Sequence, residues 1–205
     1  YAERDVVIEE RRLRVDNEGS AKLFEQLIGT AFIAHPYQIF WEWPSEVEHL
    51  TRPKVLDFYR RYYAPNRMVL AIVGDIDADE VFTRAEREFG GIPRQDDPDP
   101  VVTIEPEQEG ERRVEQKFDA EPYLSVAYHK TPFDHPDDIV YRVIHRLLSD
   151  GRTSRLYKSL VIDKQVALSM STYEFPGSQA GDLDPNVFVI DAEPKSPHTT
   201  ADVEA

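Results

Sequence analysis

The sequence predicts a layered α/β fold, built as two groups of helices and strands that are joined by a linker. Stretches with apolar residues three and four positions apart, the spacing of amphipathic helices, alternate with short apolar or alternating runs that are typical of strands. Residues 94–111 interrupt this pattern with three prolines and seven acidic residues. We therefore expect one domain over residues 1–93, an acidic, proline-rich linker over 94–111 and a second domain over 112–205.

Two helices begin the predicted first domain. The opening helix runs to about Asp16 and ends at residues 17–19, where Gly19 is a natural stop. Ser20 then caps a second helix, which ends at His35 because the residue before a proline avoids the helical region. Five apolar residues of the second helix recur at helical spacing and are expected in the core: Leu23, Phe24, Leu27, Ile28 and Phe32.

The rest of this half is predicted as helix, strand and helix. The first of these helices covers residues 52–63. Residues 68–73 form a short continuous apolar run, which is the mark of a buried strand. Asp77 and Glu80 resemble a capping box that opens a helix over residues 78–89. This order is typical of α/β layers.

The second half begins another α/β group. Residues 112–118 and 123–130 alternate like two paired strands, and residues 168–175 and 187–191 form two further strands. A helix is predicted over residues 137–149. Its core-facing residues are expected to be Ile139, Val140, Val143, Ile144, Leu147 and Leu148.

Composition narrows the possible partners and ligands. The 205-residue chain has a formal charge of −15, which argues against nucleic acid or an anionic membrane as the main partner. Such an acidic surface suits cationic peptides, although net negative charge also simply favours solubility. No apolar run approaches the roughly 18 residues of a membrane span. Because the chain has no cysteine, any metal ligands would be histidine, aspartate or glutamate.

The opening helix carries the strongest functional signal. At about 100° per residue, Glu3 and Glu10 lie within roughly 20° of each other on one face. Val6, Val7 and Leu13 flank that face, so the two carboxylates border an apolar stripe of the kind that packs inward. The alternative is a charged surface helix with ion pairs between successive turns, such as Glu10 with Arg14.

This segment resembles part of a known family. The stretch from Glu3 to Glu10 is similar to the downstream glutamate segment of the M16 peptidases, the family of pitrilysin, insulysin and the mitochondrial processing peptidase. Further stretches resemble the family in the same order. They are Ala-Phe-Ile-Ala-His-Pro-Tyr at 31–37, Phe-Tyr-Arg-Arg-Tyr-Tyr-Ala-Pro-Asn at 58–66, Val-Gly-Asp at 73–75 and Gly-Arg-Thr-Ser-Arg-Leu-Tyr at 151–157.

The resemblance implies a particular fold and an incomplete one. M16 proteins are built from LuxS/MPP-like αβ domains. Residues 1–93 then match the C-terminal part of a first such domain and residues 112–205 the N-terminal part of a second. We therefore expect a chain that is truncated at both ends.

The resemblance also implies zinc chemistry. Peptidases of this type bind zinc with an H-x-x-E-H helix, whose glutamate acts on the metal-bound water, and with a glutamate from a later helix as third protein ligand. Glu10 matches that third ligand, and Glu3 matches a second essential glutamate that supports the site. The six histidines nowhere form H-x-x-E-H. We expect that motif upstream of Tyr1, and expect the chain alone neither to retain Zn²⁺ nor to cleave peptides.

Two functions follow from the resemblance. The first is a zinc-dependent metalloendopeptidase that acts on unfolded peptides, of which this chain is a part. The alternative is a non-catalytic M16 homologue that binds peptides or pairs with another M16 subunit in a homodimer or heterodimer. An unrelated α/β binding module is a third interpretation. The habits of the family favour the bacterial periplasm or secretion. The family's substrate-binding Arg/Tyr pair has no match here, because no arginine follows Arg155.

Overall fold

The computed structural model describes residues 2–133, 135–176, 184 and 186–205. These residues fall into two compact units, which are Tyr1–Glu42 with Thr103–Ala205, and Trp43–Val102. The units do not follow the predicted boundaries, because the first two helices pack with the second half of the chain. A compact unit is not the same as a sequence domain, so the division into 1–93, 94–111 and 112–205 stays a prediction.

A small antiparallel sheet lies at the centre of the larger unit. Its strands are β1 (Leu124–Lys130), β2 (Ala167–Phe175) and β3 (Asn186–Pro194), in the order β1-β3-β2. The two strands predicted for the end of the chain, at residues 168–175 and 187–191, are confirmed as β2 and β3, which pair with each other. The predicted strand at residues 112–118, and with it the predicted pairing to β1, is wrong because these residues form no strand; β1 pairs with β3, from Leu124 opposite Ala192 onward.

Helices cover both faces of this sheet. Helix α1 (Ala2–Arg11) leads to α2 (Gly19–Ala31), which packs on the face that carries Val187 and Val189. The neighbouring side chains of β3 point the other way, because strand residues alternate between faces. That second face packs against α7 (Thr200–Glu204) and a π-helical turn, Tyr157–Asp163, and it also carries the helix Asp138–Ser149.

The core on the first face agrees well with the periodicity of α2. Ile28 and Phe32 are fully buried, and Phe24 and Leu27 pack against them. The predicted cap is wrong, however, since α2 begins at Gly19 with Glu18 in the N-cap position rather than at Ser20. The hydrophobic spacing therefore predicted the core residues correctly, whereas the N-cap residue lies two positions before the predicted Ser20.

Helix α1 is held to this body by its C-terminal end. The chain continues beyond α1 as a π-helical turn, Arg12–Asp16, in which Val15 is fully buried. Arg11 is buried too and forms an ion pair of 2.8 Å with Glu25 of α2. The prediction that an apolar stripe of α1 packs inward is wrong: Val6, Val7 and Leu13 are exposed. A buried ion pair, and not that stripe, ties the helix to α2.

The smaller unit, Trp43–Val102, contains three α-helices among its residues. They are α3 (Pro44–Glu48), α4 (Arg52–Tyr62) and α5 (Ala78–Phe89). Asp77 caps α5 as predicted and accepts a hydrogen bond of 3.0 Å from the backbone N–H of Glu80. The predicted buried strand at residues 68–73 is wrong, since these residues form no strand and Val73 is 99% exposed. A strand needs a hydrogen-bonded neighbour, and no described residue supplies one.

The helix of the second face, α6 (Asp138–Ser149), begins and ends where the sequence predicts. Fewer of its apolar side chains are buried than the sequence predicts. Ile144 and Leu148 are half-buried, whereas the remaining apolar residues of the predicted face are exposed: Ile139, Val140, Val143 and Leu147. None of the described helices combines the length and the apolar character that crossing a membrane requires.

A buried charge network connects α6 to the sheet. The side chain of Lys130, at the end of β1, is fully buried. Its Nζ atom donates to Asp138 of α6 at 2.9 Å and to Glu174 of β2 at 3.0 Å, and Arg142 also pairs with Asp138. Burial alone would lower the pKa of Lys130, but the bonds to the two carboxylates raise it overall. Lys130 therefore stays charged, and together with Arg142 it balances the charges of Asp138 and Glu174.

Candidate functional site

The two predicted site residues lie on one helix, as the sequence predicts. Glu3 and Glu10 are both in α1, and Glu3 is exposed. Glu10 is 44% exposed and lines a shallow groove of about 520 Å³ together with Glu9 and other residues of α1 and the turn after it. Its Oε1 lies 3.2 Å from Nε of Arg14, so the ion pair of the alternative interpretation is present.

The described residues do not by themselves fit a zinc site. A catalytic zinc takes three protein ligands and leaves a fourth position for water. Within the described ranges, no group of three or more histidine, aspartate or glutamate side chains has the geometry to hold a metal. Glu10 offers one carboxylate, and Glu3 lies two turns away. Their roles as ligand and supporting residue stay predictions.

A second concave feature lies beside β1 in the larger unit. It is a cleft of about 560 Å³ between the end of β1, at Ala127, Tyr128 and His129, and residues 103–110, which we term the strap. His35 and Asp184 complete its lining. The strap lies within the stretch predicted as an acidic, proline-rich linker. The cleft was missed because its lining comes from four separate parts of the sequence, residues 35, 103–110, 127–129 and 184, which only folding brings together.

Two side chains fix the strap segment to the end of α2. Glu105 accepts hydrogen bonds from the backbone N–H groups of three successive residues after α2, at 2.8, 3.0 and 2.8 Å. Arg112 donates to the carbonyl oxygens of Thr30 and Ala31 at 2.8 and 3.1 Å, which caps the C-terminal end of the helix. Glu105 within the strap and Arg112 just after it therefore both hold this segment against the end of α2. One wall of the cleft is fixed in this way.

The electrostatics of Glu105 follow from these bonds. Burial raises the pKa of its carboxyl group, but the backbone donors Ile33, His35 and Ala34 and the nearby His129 favour the charged form, and together they hold the pKa below its ordinary value of 4.5. A carboxylate with a lowered pKa in the folded state adds stability above its unfolded pKa. That contribution is lost as the pH falls through the folded pKa.

Replacing Glu105 with glutamine should therefore destabilise the chain in a pH-dependent way. We expect a loss of about 1–2 kcal/mol at pH 7, because an amide accepts weaker hydrogen bonds than a carboxylate. The difference from the wild type should shrink as the pH falls below about 4.5. Urea unfolding at pH 7 and pH 3.5 measures both quantities. Glu107→Gln, an exposed neighbour in the strap, is the control and should change stability by less than about 0.5 kcal/mol at either pH.

Two histidines line the cleft, His35 and His129, and the ring of each lies close to that of Phe32, with centroids 6.1 and 5.4 Å away. The His35 side chain is only 5% exposed, and its Nδ1 accepts a hydrogen bond of 3.3 Å from the N–H of Tyr37, so the proton of the neutral ring sits on Nε2. That Nε2 has no hydrogen-bond partner among the described residues, and the Asp184 carboxylate is 3.8 Å away. Nε2 of His129 lies 3.1 Å from the carbonyl oxygen of Ala31.

Known proteins resemble this chain over most of its length. The Helicobacter pylori protein named zinc protease PqqE is 30% identical over 173 residues, which cover 80% of this chain and 38% of that protein. A crystal structure of a protease from Helicobacter pylori has a TM-score of 0.86 at 26% identity and covers 99% of this chain and 49% of its own. The chain thus spans less than half the length of the relatives it matches.

A third relative is not named as a protease. Subunit 1 of the mitochondrial cytochrome b-c1 complex of Bos taurus is 28% identical over 151 residues, which cover 71% of this chain and 31% of that subunit. Residues 49–205 match the family described as "Peptidase M16 inactive domain". That match covers more than half of the chain and agrees with the fold and with the zinc protease relative, so the chain belongs to the M16 peptidase family.

Proposed function

We propose that this chain is part of a zinc-dependent endopeptidase of M16 type that cleaves unfolded peptides. In this proposal Glu10 is the third zinc ligand, Glu3 supports it, and the histidine ligands come from outside the 205 residues. The observation that carries the proposal is the placement of Glu3 and Glu10 on one face of one helix at the spacing of the family. The similarity to zinc protease PqqE supports it.

The structure of α1 is compatible with a ligand role for Glu10. The ion pair between Glu10 and Arg14 joins adjacent turns on an exposed helix face, and such pairs contribute only about 0.3–0.5 kcal/mol. A divalent cation would therefore displace Arg14 at little cost. The C-terminal end of α1, which carries Glu10, is fixed in place, since Arg11 and Val15 are buried against the rest of the larger unit. A bound zinc would supply an activated water for peptide hydrolysis.

The test uses the full-length protein and a denatured peptide. We expect cleavage that stops when a chelator is added and returns when zinc is restored. A rate that is unaffected by the chelator would contradict the proposal, as would full activity of a Glu10→Gln variant. A binding-only protein would show no cleavage in any of these samples.

A second candidate function has its own supporting observation. The matching family is described as an inactive domain, and one relative is a subunit of the cytochrome b-c1 complex. On this proposal the full-length protein is a non-catalytic homologue that binds peptides or pairs with another M16 subunit. The complete sequence separates the two functions, because an H-x-x-E-H motif favours the peptidase and its absence favours the partner subunit.

A further inference from the structure

The turn that follows α6 contains Asp150 and Gly151, which form the one aspartate–glycine pair in the sequence. Asp150 is the C-cap residue of α6 and has left the helical conformation, with φ −80° and ψ 103°. Gly151 follows with φ +79°, a left-handed conformation that glycine adopts without strain. Gly151 also begins the stretch 151–157, to which the proposed function assigns no role.

The side chain and the backbone of this pair are both open to solvent. The Asp150 side chain is 57% exposed, and its ion pair with Arg146 is long at 3.9 Å and lies on the surface, so it restrains the carboxylate little. A side chain added at Gly151 would meet no atom within 4 Å. Among the described residues, no acceptor receives a hydrogen bond from the Gly151 N–H. The carboxyl group and the backbone nitrogen that follows it are therefore both accessible.

An aspartate followed by glycine can rearrange without an enzyme. The backbone nitrogen of Gly151 loses its proton and attacks Cγ of Asp150, a C–N bond forms, and one water molecule leaves as the succinimide ring closes. Water then adds to the main-chain carbonyl carbon of Asp150 and breaks the bond from that carbon to nitrogen, so the chain now runs through Cγ as isoaspartate. Glycine favours the attack because no side chain crowds its nitrogen. One water is lost and one is gained, so the mass is unchanged.

We propose that Asp150 is a modification site at which isoaspartate forms in the folded protein. Ring closure requires rotation of the peptide group between Asp150 and Gly151, and the open space around Gly151 permits it. The product has one extra main-chain carbon before Gly151. The carbonyl oxygen of Gly151 accepts hydrogen bonds from the hydroxyl of Ser154 at 2.8 Å and from its N–H at 3.2 Å, so conversion loosens this turn. The reaction involves neither zinc nor peptide cleavage and is independent of the proposed function.

Peptide mapping of the full-length protein after incubation at neutral pH tests the proposal. Trypsin cuts after Arg146 and Arg152, so Asp150 lies in a short peptide of residues 147–152. We expect this peptide to give two chromatographic peaks of equal mass, one of which grows with time and is labelled by an isoaspartyl methyltransferase. Conversion in the folded protein should be slower than in the synthetic peptide of the same sequence by no more than about tenfold. A larger suppression would overturn the proposal.

Two comparisons test the role of the aspartate–glycine pair. Asp150→Glu keeps the charge but must close a six-membered ring, so its conversion should be about tenfold slower or more. Asp119 is exposed and precedes alanine, and it should likewise convert about tenfold more slowly than Asp150 or less. A second peak that persists in Asp150→Glu, or equal conversion at Asp119, would refute the assignment to this turn.

A third variant tests whether the fold allows ring closure. Asp150→Asn replaces the charged carboxylate with an uncharged amide, which is attacked more readily at neutral pH, and it loses ammonia as the ring closes. We expect this variant to convert faster than the wild type. If Asp150→Asn is stable in the folded protein while the synthetic peptide with the same change converts, the fold prevents the reaction and the proposal fails.

Discussion

Replacing Glu10 with glutamine should lower kcat/KM of the full-length protein for an unfolded peptide by about 100-fold or more. On the proposed function, the change removes a charged oxygen ligand of zinc but keeps the size and helix preference of the side chain. Loss of groups that merely support metal ligands already costs about 10- to 100-fold, so loss of a ligand should cost at least as much. Bound zinc, measured after gel filtration, should fall with the activity, while the far-UV spectrum should stay unchanged.

Two matched variants make this prediction specific. Glu9 lies next to Glu10 but pairs with Arg12 at 2.9 Å on an exposed part of the helix, so Glu9→Gln should change kcat/KM by no more than about twofold. Glu3→Gln should cost about 10- to 100-fold, since the proposal gives Glu3 a supporting role. If all three variants behave alike, Glu10 is not a ligand and α1 is simply a charged surface helix.

The sequence predicted the bounds of α5 and α6 better than it predicted which of their faces are buried, because the signals that start and end a helix are local. The cap at Asp77 and the bounds of α5 and α6 depend on residues within a few positions, and both helices form where predicted. Which face is buried depends on the partner. Val143 and Leu147 of α6 remain exposed because an amphipathic stripe indicates that a helix can pack, not what packs on it.

Strand pairing and the cleft were predicted less well, because both depend on residues that are distant in the sequence. The strands predicted at residues 168–175 and 187–191 form as β2 and β3, but the continuous apolar run at residues 68–73 was an equally clear signal and forms no strand. Pairing depends on a neighbour that is distant in sequence, and this information is not in the run itself. The same holds for Glu105, whose three backbone donors lie 70 to 72 residues away. The segment that contains Glu105 has a proline-rich and acidic composition, yet the Glu105 carboxylate anchors it to the residues after α2.

The network around Lys130 leads to the largest expected effect on stability. Lys130 stands in an alternating strand, where a lysine is ordinarily assigned to solvent, yet its side chain is fully buried. The reason is non-local: Asp138 and Glu174 come from different elements and meet its ammonium group at 2.9 and 3.0 Å. Removing Lys130 takes the buried ammonium group away from both carboxylates, of which Asp138 keeps its ion pair with Arg142. Losing one member of such a network costs more than the network itself contributes.

Lys130→Met should therefore lower the free energy of unfolding by about 3–5 kcal/mol, although methionine fills most of the same space. Urea unfolding measures the loss, and the slope with denaturant should stay the same if the native fold is kept. Combining Lys130→Met with Asp138→Asn and Glu174→Gln removes the uncompensated charges and should recover more than half of it. Lys158→Met, whose exposed pair with Asp163 contributes little, should change stability by under about 1 kcal/mol. If Lys130→Met and Lys158→Met are equally mild, then water reaches the network and the charges at the end of β1 are not buried in solution.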